Sequence, residues 1–305
     1  MKVYISKSND AAVNLAIEEY LVRDFFDGDF ILFLYINSDC VVLGKNQSIY
    51  TEVNLPYIYQ NKIPIKRRLS GGGTVYHDMG NINFSFITNY NLKDFNNYKT
   101  YSQQIIQVLR DNGIDASFND RNDIVVGEFK VSGNAQFTTK NVILTHGTLL
   151  VNSDLLKLSN SLKAIPIKVE TYASKSVRAK VANLIDFNPN IEVENLILQI
   201  TERYLREFNG YLLTDDDINF EQIRFYIQNK YSKDEWNLYE TPKAKIITSV
   251  VVNDKSYYVE ILVENCRIKQ ISPISNIENF YKIEEKLLDT LYLPYFDEKI
   301  FLSFD

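Results

Sequence analysis

The sequence predicts a mixed α/β (α+β) fold through about residue 240, followed by a small α+β unit over 245–305, in a chain of 305 residues. Strand-like and helix-like segments are interspersed without the strict alternation that builds a doubly wound parallel sheet. Ten of the eleven glycines lie at or before Gly147, so special backbone geometry is concentrated in the first half. After Thr241-Pro242 the pattern changes to three short alternating segments and one helical segment.

The elements follow in chain order. Asn9-Asp10 is a capping pair for a helix over 11–26, with Ala12, Leu15, Ala16, Tyr20 and Val22 on its apolar side. The apolar runs 30–36 and 40–43 read as strands joined by a turn at Asn37-Ser38-Asp39, and Gly44-Lys45-Asn46-Gln47 leaves the second as a polar loop. Residues 82–87 begin by alternating apolar and small polar side chains, the pattern of a half-buried strand. A helix over 98–112 stops at Gly113, a suitable C-cap. Strands are expected over 124–126, 129–132 and 142–151, and helices over 153–162, 192–208 and 217–231. In the tail, strands over 245–252, 256–263 and 267–272 include a hairpin turn at Asn253-Asp254, and a helix covers 276–291.

Composition narrows the function. Apolar residues make up 45% of the chain, ample for a core. A formal charge of −6 and pI near 5.2 argue against a general nucleic-acid binder, which presents a basic face. Cys40, Cys266, His77 and His146 are the only cysteines and histidines, and their spacing offers neither a disulfide framework nor a zinc site. The longest apolar run, 30–36, is far too short to span a bilayer, and the first residues lack a signal-peptide run. The expectation is a cytoplasmic monomer that binds neither nucleic acid nor membrane.

The densest chemical signal is Arg67-Arg68-Leu69-Ser70-Gly71-Gly72-Gly73-Thr74-Val75-Tyr76-His77-Asp78, continuing through Gly80-Asn81 to Asn83. Bare backbone approaches a ligand closely and turns its N–H groups toward an anion. Pro64-Ile65-Lys66 before it and the strand after it pin the loop, and two guanidiniums at its root suit a phosphate-containing ligand. No Gly-Lys-Ser/Thr follows at Walker spacing, and no Gly-x-Gly-x-x-Gly joins a strand to a helix. A second polar cluster combines Arg121-Asn122-Asp123, Lys130-Val131-Ser132-Gly133 and His146-Gly147-Thr148. A lone strand lysine is usually a solvated edge charge. Beside a carboxylate and a glycine loop, however, it is a part needed to activate a carboxylic acid with a nucleotide.

These segments, with Asn14 to Glu19, Val41 to Gln47, Ser176 to Leu184 and Glu235-Trp236-Asn237, resemble the lipoate–protein ligases of the biotin/lipoate ligase superfamily. The resemblance implies a biotin/lipoate-ligase-like catalytic domain over 1–240 with an accessory domain over 245–305. It implies that lipoate is joined to AMP from ATP with Mg2+, releasing pyrophosphate. The lipoyl group then passes from lipoyl-AMP to a lysine of an acceptor, a lipoyl domain of a 2-oxoacid dehydrogenase E2 subunit or the glycine cleavage H protein. By position, Lys130 is the catalytic lysine and Asp123 the Mg2+-side carboxylate. Arg68, Ser70, Gly71, Gly72, Gly73, Thr74 and Val75 line the carboxyl–phosphate region, and Asn81 and Asn83 contact the nucleotide or support the loop. His146 and Gly147 lie near the acyl or adenine side.

Residues 168–183, with Arg178 and Lys180, resemble the segment that folds over the adenylate. The stretch 167–180 has a net charge of +3 from Lys168, Lys175, Arg178 and Lys180 against Glu170. That charge suits an acidic acceptor domain. Tyr35 stands where relatives often carry tryptophan beside the acyl chain, and Leu32, Val42 and Ile82 are further candidates for that slot. A relative that transfers the acyl group without ATP needs a cysteine nucleophile, and none occurs between Cys40 and Cys266. A paralogue that only binds the adenylate or lipoyl domains is the alternative outside catalysis.

Overall fold

The computed structural model describes residues 1–92, 98–164, 167–177, 179–252, 255–274, 276–294 and 299–302. Asp10 caps the helix Ala11–Tyr20 by accepting the Ala12 N–H at 2.7 Å, and one turn of π-helix, Leu21–Phe25, prolongs it. Its buried side lies against a six-stranded mixed sheet. The strand order is Asn134–Thr138, Val142–Leu150, Asn81–Asn89, Ile31–Ile36, Lys2–Ile5, Tyr211–Leu212. The first four are mutually antiparallel and the last two join in parallel, so the sheet is mixed, as predicted. On the opposite face the helices Lys99–Asp111 and Val193–Glu207 close the core over Leu32, Phe84 and Phe86. Gly113, at φ +74°, ends the first of these as its sequence position predicted.

Two expectations about the central strands change. Residues 81–88 are buried throughout rather than half-buried. The alternation separates two buried environments: Ile82, Phe84 and Phe86 enter the core, while Asn81, Asn83 and Ser85 make internal polar contacts. The strands Ile31–Ile36 and Cys40–Leu43 do not form a hairpin. Asn37 between them is fully buried, accepting from Asn14 Nδ2 at 2.8 Å and donating to His77 Nδ1 at 3.0 Å. The chain therefore crosses into a separate three-stranded sheet, where Cys40–Leu43 lies between Ile65–Arg67 and Val75–His77. A third small sheet, Ala116–Phe118, Ile124–Val126 and Phe129–Ser132, carries Asp123 and Lys130 at the edge of the main sheet.

The tail strands are Ala244–Val252, Lys255–Glu264 and Arg267–Pro273; the Asn253-Asp254 turn lies outside the described residues. This sheet also takes in Lys168–Thr171, antiparallel to Ala244–Val252, and Lys299–Leu302, parallel to it. The tail helix is shorter than predicted, Phe280–Leu287. Asn279, at φ 55°, precedes it, and the residues beyond Leu288 pair with the adjoining strand instead of continuing the helix. The Ile268 N–H donates to Thr290 O at 3.0 Å, and the Tyr292 N–H to Cys266 O at 2.8 Å. No helix among the described residues is long and apolar enough to cross a membrane.

Candidate functional site

The glycine loop connects Ile65–Arg67 to Val75–His77, so both of its ends are fixed in one small sheet. Arg67 is fully buried and does not face a ligand. Its guanidinium donates to the carbonyls of Gly44, Lys45, Gln47 and Trp236 and to Thr241 Oγ1, all at 2.9–3.2 Å. The expected phosphate clamp is thus a brace for the 44–47 loop, because a rigid five-donor fork suits converging carbonyls. Arg68 reaches a cavity wall but is also engaged, with Val42 O at 3.2 Å, Gly71 O at 2.6 Å and Gly73 O at 2.8 Å. Burial lowers both guanidinium pKa values to about 10, leaving them cationic at neutral pH. Gly72 sits at φ +84°, and a Cβ on Gly44 would lie 2.2 Å from Gly72 O; each position requires glycine.

A buried polar chain supports this loop from the sheet side. Arg68 Nε donates to Ser70 Oγ at 2.8 Å, and Ser70 Oγ lies 2.6 Å from His146 Nε2. His146 Nδ1 lies 2.8 Å from Glu18 Oε1, which also accepts from Ser85 Oγ at 2.6 Å. In the neutral imidazole the carboxylate fixes the proton on Nδ1, leaving Nε2 to accept from Ser70. His77 is a second oriented imidazole. Asn37 donates to its Nδ1, and burial, with Arg68 and His146 nearby, pushes its pKa from the ordinary 6.5 down to about 3. Its Nε2 is buried without a partner among the described residues, and the residue borders the cavity.

Two cavities meet at these elements. The first, about 360 Å3, includes Leu15, Tyr35, Val42 and Val75 in its apolar lining. It is lined as well by Arg68, Gly72, Gly73, Thr74, Asn83 and His146, with Asp123, Lys130 and Gly147. The second, about 870 Å3, extends past Asn81 and Ser132 to a wall of Leu150, Leu155, Leu158, Ile167 and Val169. Asn81 Oδ1 and Ser132 Oγ are buried there without partners among the described residues. Lys130, Gly133, Thr148 and Ser176 border both cavities. Lys130 Nζ lies 2.8 Å from Asp123 Oδ1, and both side chains are partly exposed. A cation shared by the walls of two adjoining cavities is placed to bridge a carboxylate and a phosphate.

Most of the residues expected in the site therefore converge. Leu32 and Ile82 do not; both are wholly buried core residues. Ser70 and Gly71 border neither cavity and act through Arg68 instead. Lys180 points outward, its amine 2.7 Å from Glu128, although its carbonyl accepts the Lys130 N–H at 2.8 Å. Arg178 lies outside the described residues. Sequence reasoning assigned no role to Glu18, Gln47, Glu52 or Ser176. For Glu18 a signal existed, since Asn14 and Glu18 stand one turn apart on the helix side that also carries Leu15. Glu52, an isolated carboxylate on a four-residue helix, gave none.

Neither cysteine belongs to the site. Cys40 and Cys266 are buried away from both cavities, and burial pushes both thiols up, against nucleophile chemistry. A cation such as Mg2+ would find one carboxylate, Asp123, at the first cavity; among the described residues no group of three or more His, Cys, Asp and Glu could hold a metal. That donor set fits a hard cation shared with nucleotide phosphates rather than caged by protein.

Comparison with known proteins identifies what the chain is similar to. The family model for the lipoyl protein ligase A/B catalytic domain matches residues 10–205. Lipoate–protein ligase 1 of Staphylococcus aureus is 41% identical over 245 residues, covering 79% of this chain and 74% of that protein. Lipoate-protein ligase LplJ of Bacillus subtilis is 36% identical over 286 residues, covering 89% and 86%. Among solved structures, a lipoate-protein ligase A bound with ATP matches with TM-score 0.65 at 28% identity, over 77% of this chain and 97% of that one. A bi-partite lipoate protein ligase from Thermoplasma acidophilum, described with its E2 lipoyl domain, matches with TM-score 0.67 at 28% identity, over 77% and 95%. P. falciparum LipL1 in complex with lipoate matches with TM-score 0.67 at 27% identity, over 96% and 91%.

Proposed function

The chain belongs to the lipoyl protein ligase A/B catalytic-domain family, and from that premise we propose how its two cavities carry out ATP-dependent lipoate–protein ligation. The observation that carries the reading is that Lys130 borders both cavities at their junction. The slot ending at Leu15, Tyr35 and Val42 takes the apolar tail of lipoate, and its carboxylate points to Lys130. The larger chamber, with Asn81 Oδ1 and Ser132 Oγ free of partners among the described residues, takes the nucleotide of ATP.

A lipoate oxygen attacks the α-phosphorus and pyrophosphate leaves, forming lipoyl-AMP. The acceptor lysine amine, as the free base, then attacks the carbonyl carbon and gives up a proton to solvent as AMP departs with the bonding electrons. Lys130 stabilises negative charge on carbonyl and phosphate oxygens in both steps, and Gly72 and Gly73 line the same cavity. Arg68, held by Ser70, His146 and Glu18, fixes the loop that presents them. Asp123 would hold Mg2+, and the ion would supply charge neutralisation at the phosphates.

We read 1–240 as the catalytic domain and 245–305 as an accessory domain that shares the strand Lys168–Thr171. The acceptors are lipoyl domains of 2-oxoacid dehydrogenase E2 subunits or the glycine cleavage H protein, and the enzyme works as a cytoplasmic monomer. The test is the intact mass of an apo lipoyl domain incubated with the protein, lipoate and Mg-ATP. A lipoyl-sized gain that requires ATP supports the ligase; no gain overturns it. Lys130→Ala should leave the fold intact and lower lipoate-dependent pyrophosphate release by roughly a hundredfold or more. Release at the wild-type rate would remove Lys130 from the chemistry.

A further inference from the structure

The segment 172–177 borders both cavities through Lys175, Ser176 and Val177, and the first also through Ser174. Backbone pairing holds the chain on either side of it. Lys168–Thr171 lies in the tail sheet, and Val181 bridges Lys130, whose N–H and C=O bond Lys180 O and the Ala182 N–H. Between these anchors Tyr172 is fully exposed and Val177 is largely exposed. The Ser174 N–H donates to Asn46 O at 3.2 Å, and the remaining polar contacts of the segment to the loops beneath gather mainly on one side chain, Ser176.

The Ser176 hydroxyl has one donor and two acceptor sites, and all are used. It donates to Glu52 Oε2, accepts from Gln47 Nε2 at 3.0 Å, and accepts the Thr74 N–H at 3.0 Å. The Ser176 N–H also meets the Glu52 carboxylate, at 3.3 Å. The receiving side is built and buried. Glu52 is 6% and Gln47 1% exposed, and Gln47 Oε1 is held by Thr74 Oγ1 at 2.6 Å and the Gly44 N–H at 3.2 Å. The third glycine of the loop completes the fit. A Cβ on Gly73 would lie 3.2 Å from Ser176 Oγ, so the absent side chain of Gly73 makes room for the roof.

We propose that Ser176 is a positioning residue, gripped by Glu52 and Gln47, that seats residues 172–177 on the glycine loop and retains lipoyl-AMP until an acceptor amine arrives. This rests on the ligase reading above. The mixed anhydride is destroyed if it escapes, because water adds at the carbonyl or phosphorus and yields lipoate and AMP. A latch on one hydroxyl opens reversibly, which the second half-reaction requires if a protein-borne lysine is to enter.

The test uses the full chain with Ser176→Ala and Glu52→Gln, neither of which empties a core position. In the unliganded protein, amides of the 172–177 peptide and of Thr74 should exchange with deuterium about tenfold faster in both variants. Under turnover with limiting apo lipoyl domain, the ratio of pyrophosphate released to domain lipoylated should rise several-fold above wild type, while KM for lipoate changes less. Unchanged exchange and an unchanged ratio in both variants would overturn the latch. So would loss of pyrophosphate release with the ratio unchanged, since that makes Ser176 catalytic. Failure of the wild type to adenylate lipoate would instead overturn the ligase reading, and deuterium exchange would still decide whether the latch exists.

Discussion

His77 illustrates how a single residue can be named by sequence and explained only by structure. It stands within the glycine-loop motif, yet nothing in the motif reveals that it is buried between Asn37 and the cavity with one ring nitrogen unpartnered. The consequence is a defined pH dependence. Above about pH 6.5 the ring is neutral in folded and unfolded chains alike and contributes no slope. Below that, the unfolded chain takes up a proton that the folded chain refuses until about pH 3. Stability therefore falls with pH, with a slope from this one group approaching about 1.4 kcal/mol per pH unit. Urea unfolding between about pH 6.5 and pH 5 should show this slope, and His77→Gln should flatten it. An identical slope in the variant would show that other groups set the dependence. Lys130 and Asp123 were legible at this scale because their types and the nearby glycine loop match activation chemistry. Ser176 and Glu52 were not, since the contact that pairs them spans 124 positions of sequence.

At the level of elements, helix and strand positions were legible wherever a local cause sets them. The Asp10 cap and the positive φ of Gly113 are local, and both elements appear as the sequence predicted. The error at 82–87 has a physical reason. Alternation reports two different faces, and here the polar face looks onto a buried polar network instead of solvent. Arg67 is the corresponding case for a loop. Sequence marks it as a cation near a phosphate, whereas the structure spends its donors on the 44–47 turn and on the Trp236–Thr241 segment. Arg67→Lys is accordingly not conservative. Lysine brings three donors to five acceptors, and at least two buried acceptors are orphaned at roughly 1–3 kcal/mol each. Chemical denaturation should register a loss of that combined size, with weaker lipoate binding because Gly44 and Gln47 lose their brace. A loss near zero would mean that water or the loop itself satisfies those carbonyls.

For the whole molecule, the change of pattern near Thr241 was visible in sequence, but the way the tail attaches was not. One apolar cluster joins Val41, Ile49, Tyr50 and Ile58 of the first part to Ile246, Val250, Ile261 and Ile268 of the tail sheet. Tyr50 Oη donates to Tyr292 O at 2.8 Å across the same contact, and Lys168–Thr171 completes the tail sheet from the other side. Because that strand leads directly into residues 172–177, the tail and the roof over the cavities share one backbone connection. Separating the tail would expose the common cluster and withdraw a strand from its sheet, so neither part keeps a complete core alone. Thermal unfolding should consequently be a single transition, with calorimetric and van't Hoff enthalpies in a ratio near one. Trp236, the only tryptophan, donates to Arg67 O at 2.7 Å beneath the glycine loop, and its fluorescence should change at the same temperature as the calorimetric peak. An earlier calorimetric transition silent to Trp236 would show that the tail melts separately. The shared cluster would then be a contact between two bodies, and the roof would have one firm anchor instead of two.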